Sequence, residues 1–156
     1  REPIQFRPVK VVSLEFPNMN GIVGLAGNIY VPGHDGDRAY IAKYDADLNQ
    51  QALTFSWEGK PVGIVADTIS NFVYLLDDSE TVRKFNSNLS PIVTGDVELN
   101  HTSFEQGMRA YGFMRSGFHP YSLKRFSPKG IDIDAAGNLY ILYFLNNLNG
   151  IAFFFL

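Results

Sequence analysis

The chain repeats itself at three registers, and this self-similarity limits its fold more than any other property of its 156 residues. The segment Pro61-Val62-Gly63-Ile64-Val65-Ala66-Asp67, followed by Asn71 and Tyr74, returns 67 residues later as Pro128-Lys129-Gly130-Ile131-Asp132-Ile133-Asp134, followed by Asn138 and Tyr140. Lys43-Tyr44-Asp45-Ala46-Asp47-Leu48-Asn49 returns 41 residues later as Lys84-Phe85-Asn86-Ser87-Asn88-Leu89-Ser90. Gly27-Asn28-Ile29-Tyr30-Val31 returns 110 residues later as Gly137-Asn138-Leu139-Tyr140-Ile141. One unit seen three times accounts for all of these matches. It reads as a Gly-Ile strand, a tight turn, a strand with a Tyr, a variable loop, a strand ending in Lys-aromatic or Phe-Phe, a polar turn and a final strand. That is four antiparallel strands in about 41 to 43 residues, with roughly 26 extra residues in the middle copy, a period at which copies stack to bury faces that none buries alone.

The local pattern agrees. Runs of β-branched and aromatic residues at Val9–Phe16, Asn28–Val31, Ala39–Tyr44, Phe72–Leu76, Leu139–Leu145 and Ile151–Phe154 have strand length. Turn formers separate them at Pro32–Asp37, Asp45–Asn49, Asn86–Asn88 and Ala135–Asn138. Helical spacing occurs only at Ser103–Met114, through Phe104, Met108, Tyr111 and Met114, and two glycines weaken it. Leu139–Phe144 and Phe72–Leu76 are nearly continuous apolar runs, as expected of strands covered on both faces. The period and contents are those of a propeller blade. A two-sheet β-sandwich is the alternative, and it does not require the repeat.

The Pro-x-Gly-Ile-x-x-Asp-x-x-Gly-Asn-x-Tyr pattern, complete at Pro128 to Tyr140, resembles the NHL-type β-propeller repeat, whose units usually build six-bladed rings. The middle copy departs from it by one extra residue before Tyr74 and by Ser70 in place of glycine, and the first copy lacks the Pro and the Asp. The expected fold is therefore all-β: a β-propeller of four-stranded antiparallel blades in a single domain over residues 1–156, present as about half a ring. Blades are expected at about 20–59, at 60–127 with an insertion near 95–127, and, incomplete, at 128–156. Val9–Phe16 is read as the outer strand of a preceding blade. An open ring exposes apolar faces and edges, so the chain is expected to be a piece of a longer polypeptide or a processed chain, with the remaining blades from that chain or from a second copy.

Composition narrows the function classes. Apolar residues make up 46%, with 13 Phe and 8 Tyr, which suits a packed domain. Lys+Arg 13 against Asp+Glu 16 leaves no basic field for nucleic acid. No apolar run approaches the length of a membrane span, and with no cysteine there is no thiolate or Cys-ligated metal chemistry. The lack of cysteine and a start at Arg1 both suit export, so an extracytoplasmic or secreted location is expected.

In a blade with strands a to d, the b–c and d–a connections leave from one edge and the a–b and c–d turns from the other. Pro32–Arg38, Tyr143–Gly150 and the insertion at about Gly95–Ser127 are therefore expected as long loops on one face, the usual place for binding residues. Candidate binding residues there are Phe104, Arg109, Tyr111, Phe113, Arg115, His119 and Tyr121 of the insertion, with His34, Asp35 and Arg38 beside them. An aromatic and Arg mixture suits a protein, peptide or glycan contact, though it also suits a satellite core.

No catalytic residue or cofactor is assigned. His34-Asp35-Gly36-Asp37 offers an imidazole and two carboxylates to a divalent ion, or is a solvated turn. Asp45–Asn49 begins like a calcium loop but has Gln50 and Ser56 where that loop needs Gly and Glu, and its repeat partner at Asn86 marks it as a hairpin turn. Asp67 and Asp134 are expected to accept turn amides. Asn88-Leu89-Ser90 and Asn100-His101-Thr102 match the glycosylation sequon. The expected function is a non-enzymatic binding or scaffold module. The alternative is a metal-dependent hydrolase or lactonase, since propeller hydrolases of the gluconolactonase type hold a metal in the central channel, where Asp132 or Asn20 would face. A third reading is a structural subunit of a larger extracellular assembly.

Overall fold

The computed structural model describes residues 3, 5, 7–14, 18–36, 38–78, 81–92, 97–98, 127–145 and 148–154. Among them the regular structure is all strand, in three antiparallel sheets. The first runs β1 (Val23–Leu25), β2 (Asn28–Asp35), β3 (Arg38–Tyr44) and β4 (Gln50–Glu58). The second runs β5 (Pro61–Asp67), β6 (Phe72–Asp77), β7 (Thr81–Asn86) and β8 (Val97–Glu98), and the third β9 (Ser127–Ile133), β10 (Leu139–Leu145) and β11 (Leu148–Phe154). Each sheet is a meander in which neighbours in sequence are neighbours in hydrogen bonding. The sheets stack in series, β5 lying against β1 and β2 on one side and β9 on the other. These are successive blades of an incomplete β-propeller. Two facing sheets are not what is seen, so the sandwich alternative fails.

The core explains why the strands read as apolar runs. Alternate residues of the second sheet go to opposite neighbours. Ala66, Val73, Leu75, Phe85 and Leu89 pack with Leu25, Tyr30 and Ile41 of the first sheet. Val65, Tyr74, Leu76 and Val82 pack with Leu139 and Ile141 of the third. At about 1.5 to 3 kcal/mol for each large side chain fully buried, this two-sided burial outweighs any alternating polar pattern.

Four expectations are corrected. Residues 9–14 form no strand: Val9 and Val11 stand exposed, while Leu14 packs on the first sheet's outer face over Val31, Ala42 and Tyr44. The segment is a strap lying on a sheet face, tied by the Lys10 ammonium donating to the Asp47 carbonyl, and not an edge strand of another blade. Pro32–Arg38 is mostly strand, with β2 running to Asp35 and β3 starting at Arg38. Likewise β10 runs to Leu145 and β11 starts at Leu148, so Tyr143–Gly150 is no long loop. Within the insertion expected at about 95–127, Val97–Glu98 form β8 against Thr81 and Val82. The helical spacing at Ser103–Met114 lies outside the described residues.

Candidate functional site

Strand register decides at which edge of the sheets the connection 99–126 begins and ends. The hairpins Asp35–Arg38, Asp77–Thr81 and Leu145–Leu148 all turn at one edge. Glu98, the last residue of β8, pairs with Thr81 at that edge, and Ser127, the first of β9, pairs with Phe144 there. The connection 99–126 therefore starts and ends beside these hairpins. Phe104, Arg109, Tyr111, Phe113, Arg115, His119 and Tyr121 belong to it and lie outside the described residues.

His34, Asp35 and Arg38 are brought together by the β2–β3 hairpin, where Gly36 takes φ 61°. Arg38 Nη2 lies 3.9 Å from Asp35 Oδ2, with both side chains at least half exposed, a geometry worth little on its own. His34 is clipped to the inner segment at both backbone groups: its amide donates to Asn18 O and its carbonyl accepts from Asn18 Nδ2, both at 3.3 Å. Its Nδ1 is buried and meets no hydrogen-bond partner. As successive residues of a strand, His34 and Asp35 point to opposite faces, so they do not share one ion. Among the described residues no three His, Asp or Glu side chains converge. Beneath the hairpin the Tyr40 ring crosses Gly33, and burial, with Tyr44 and Asp35 nearby, raises its phenol pKa.

The same edge carries a buried charge that the sequence reading passed over. Asp77 is fully buried at the end of β6 and accepts from Arg83 Nε at 3.1 Å across the β6–β7 hairpin. Next to it the Lys60 amide donates to Asp78 Oδ1 at 2.6 Å, and the Asp78 amide returns a bond to Lys60 O. The signal was an Asp-Asp pair closing an apolar run.

The opposite edge is built of turns. Asp45, Asn86 and Asp134 each accept two backbone amides at 2.9 to 3.0 Å through one side-chain oxygen, from the residues two and four ahead. Leu48, Leu89 and Gly137 occupy the left-handed position of these turns. The Asn49 amide holds the Asp45 carboxyl below its usual range, and the Asn138 amide does so for Asp134. Asp67 likewise accepts two turn amides through one oxygen, but from the residues two and three ahead, Ile69 and Ser70. The expected structural role of Asp67 and Asp134 thus has its geometry.

The two channel candidates each make a local hydrogen bond. Asn20 Nδ2 donates to Pro61 O at 2.6 Å, joining the first two inner segments, and Asp132 accepts from the Ile133 amide at 2.8 Å while paired in register with Tyr140.

No protein-family model matches the chain, and no curated protein does. Among solved structures it is similar to the crystal structure of a quinoprotein alcohol dehydrogenase-like protein from Bacteroides thetaiotaomicron, with a TM-score of 0.51 and 17% identity. The match covers 81% of this chain and 28% of that one, so this chain spans little more than a quarter of its neighbour's length. At that identity the likeness is one of fold, and it supports the propeller architecture reached from the sheets.

Proposed function

We propose that the chain is a non-enzymatic binding or scaffold module, built of NHL-like blades in an extracytoplasmic protein, that holds a protein, peptide or glycan on the hairpin edge of its sheets. The observation that carries this reading is topological. The Asp35–Arg38 hairpin and both ends of the connection 99–126 share one edge, while the other edge is given to tight turns whose side chains are spent on their own amides. A long connection that leaves and re-enters a rigid scaffold at one edge is a usual setting of a recognition surface, and the aromatic and Arg residues of 99–126 suit one.

Arrays of oligosaccharides and of peptides test it. A captured probe, titrated into isotope-labelled protein, is expected to shift the amides of His34, Arg38 and Thr81, and Arg38→Ala with Arg109→Ala to weaken its binding tenfold or more. Shifts confined to the turns at Asp45, Asn86 and Asp134 overturn the reading. So does lactone hydrolysis that needs added calcium and stops with chelator, which selects the hydrolase alternative.

A further inference from the structure

The third sheet exposes large apolar side chains on one face. Tyr140 and Leu142 of β10 are 37% and 47% exposed, whereas Leu139 and Ile141, alternating with them, are fully buried against the second sheet. The junctions inside the chain indicate what such a face meets. Register pairs Val23 with Tyr30, Val65 with Tyr74 and Asp132 with Tyr140, so the three tyrosines hold one position of the repeat. Tyr30 is fully buried in the core shared with the second sheet, and its hydroxyl donates to the Ser87 carbonyl in that sheet's outer turn at 2.6 Å. Tyr74 is buried in the core shared with the third sheet. Tyr140 instead donates to Asp134 Oδ2 of its own sheet at 3.1 Å.

We propose that the Tyr140–Leu142 face is an inter-blade junction whose occupant is a further four-stranded blade of the same polypeptide, with Tyr140 as its latch. On docking, the Tyr140 hydroxyl passes from Asp134 to a backbone carbonyl in the outer turn of the incoming blade, as Tyr30 reaches Ser87. Two observations favour this occupant over a second copy of the chain. Spatial order follows chain order at both existing junctions. The face a second copy's first sheet has to offer, Val31, Ala42 and Tyr44, is already covered by its own Leu14. Asp132 stands where the other blades have Val23 and Val65. The incoming blade therefore brings a hydrogen-bond donor or a cation opposite it, which makes this junction selective. The inference rests on the propeller arrangement and not on the binding edge, so either can fail alone.

The test compares the 156-residue chain with the natural polypeptide continued by one blade period, each as wild type and as Tyr140→Phe. Nitration by tetranitromethane, mapped by mass spectrometry, reads the latch, thermal unfolding reads its strength and light scattering reads the assembly. Tyr140 is expected to react at least tenfold faster than Tyr30 and Tyr74 in the shorter chain and at their rate in the longer one. Tyr140→Phe is expected to lower Tm only in the longer one. Overturning results are a Tyr140 that stays reactive after the extension, a Tyr140 already protected in the monomeric shorter chain, a polypeptide with no such blade to add, or a shorter chain that dimerises until Leu142→Lys separates it.

Discussion

At the scale of single residues, the three five-residue turns show one backbone solution reached with different side chains. Leu48 and Leu89 both sit at positive φ, 62° and 64°, a region that costs a non-glycine residue roughly 1 to 2 kcal/mol. They differ in what their side chains do, since Leu89 is buried in the core between the first two sheets. Leu48→Gly is expected to change stability by less than about 1 kcal/mol, because relieved strain offsets added unfolded-state entropy. Leu89→Gly is expected to lose about 2 to 4 kcal/mol, because a buried Leu goes with it. Denaturant unfolding of both variants separates strain from burial. Asn86 accepts the same two amides as Asp45 and Asp134, so Asp45→Asn with Asp134→Asn is expected to keep the fold. Turn amides depress both carboxyl pKa values, so the stability these groups add is fully present above the unfolded carboxylate range and is lost as pH falls through the folded one. Thermal unfolding from pH 6 to pH 2 is therefore expected to show the wild type's advantage over the double variant disappearing below about pH 4.

At the scale of elements, β2 was the hardest to read. Pro32, Gly33 and Gly36 within five residues signal a loop, yet β2 continues through the first two of them. The proline is tolerated because its carbonyl still accepts from the Asn20 amide at 2.8 Å, while its missing donor falls beside Gly21, φ 105°, where the inner ladder is already interrupted. The glycine is there because a Cβ on residue 33 stands 2.5 Å from Tyr40 Cζ and 2.9 Å from Asn18 O. Gly33→Ala is expected to cost about 1 to 3 kcal/mol, against little for Gly24→Ala, whose Cβ meets nothing nearer than 3.8 Å. Between sheets, Tyr30→Phe removes one buried hydroxyl bond and is expected to cost about 0.5 to 1.5 kcal/mol by denaturant unfolding. By contrast, β10 was legible from end to end, because an unbroken apolar and aromatic run of strand length follows the turn at Ala135–Asn138. Only its Leu139 and Ile141 side is buried, and Tyr140 and Leu142 stand exposed where the run predicts cover on both faces.

At the scale of the whole molecule, the two end faces of the stack are treated differently. The first sheet's outer face is closed by the strap through Leu14, and the third sheet's outer face leaves Tyr140 and Leu142 partly exposed. Leu14→Asp is expected to open the closed end, costing about 1 to 2 kcal/mol and raising the fluorescence of an apolar-surface dye. Val9–Phe16 has strand composition, yet 9–14 form no strand. Composition reports what a segment can form, and pairing needs an edge to pair with.

The amino-acid order by itself determined the repeat, the number of sheets, the two-sided burial of Phe72–Leu76 and the turns that cap the strands, because each of these follows from spacing and local chemistry within one unit. Tertiary structure alone decided that the strap lies on a face and that the buried Asp77 meets the partly covered Arg83. Those outcomes depend on which surfaces the neighbouring sheets bring together, and no spacing along the chain encodes that.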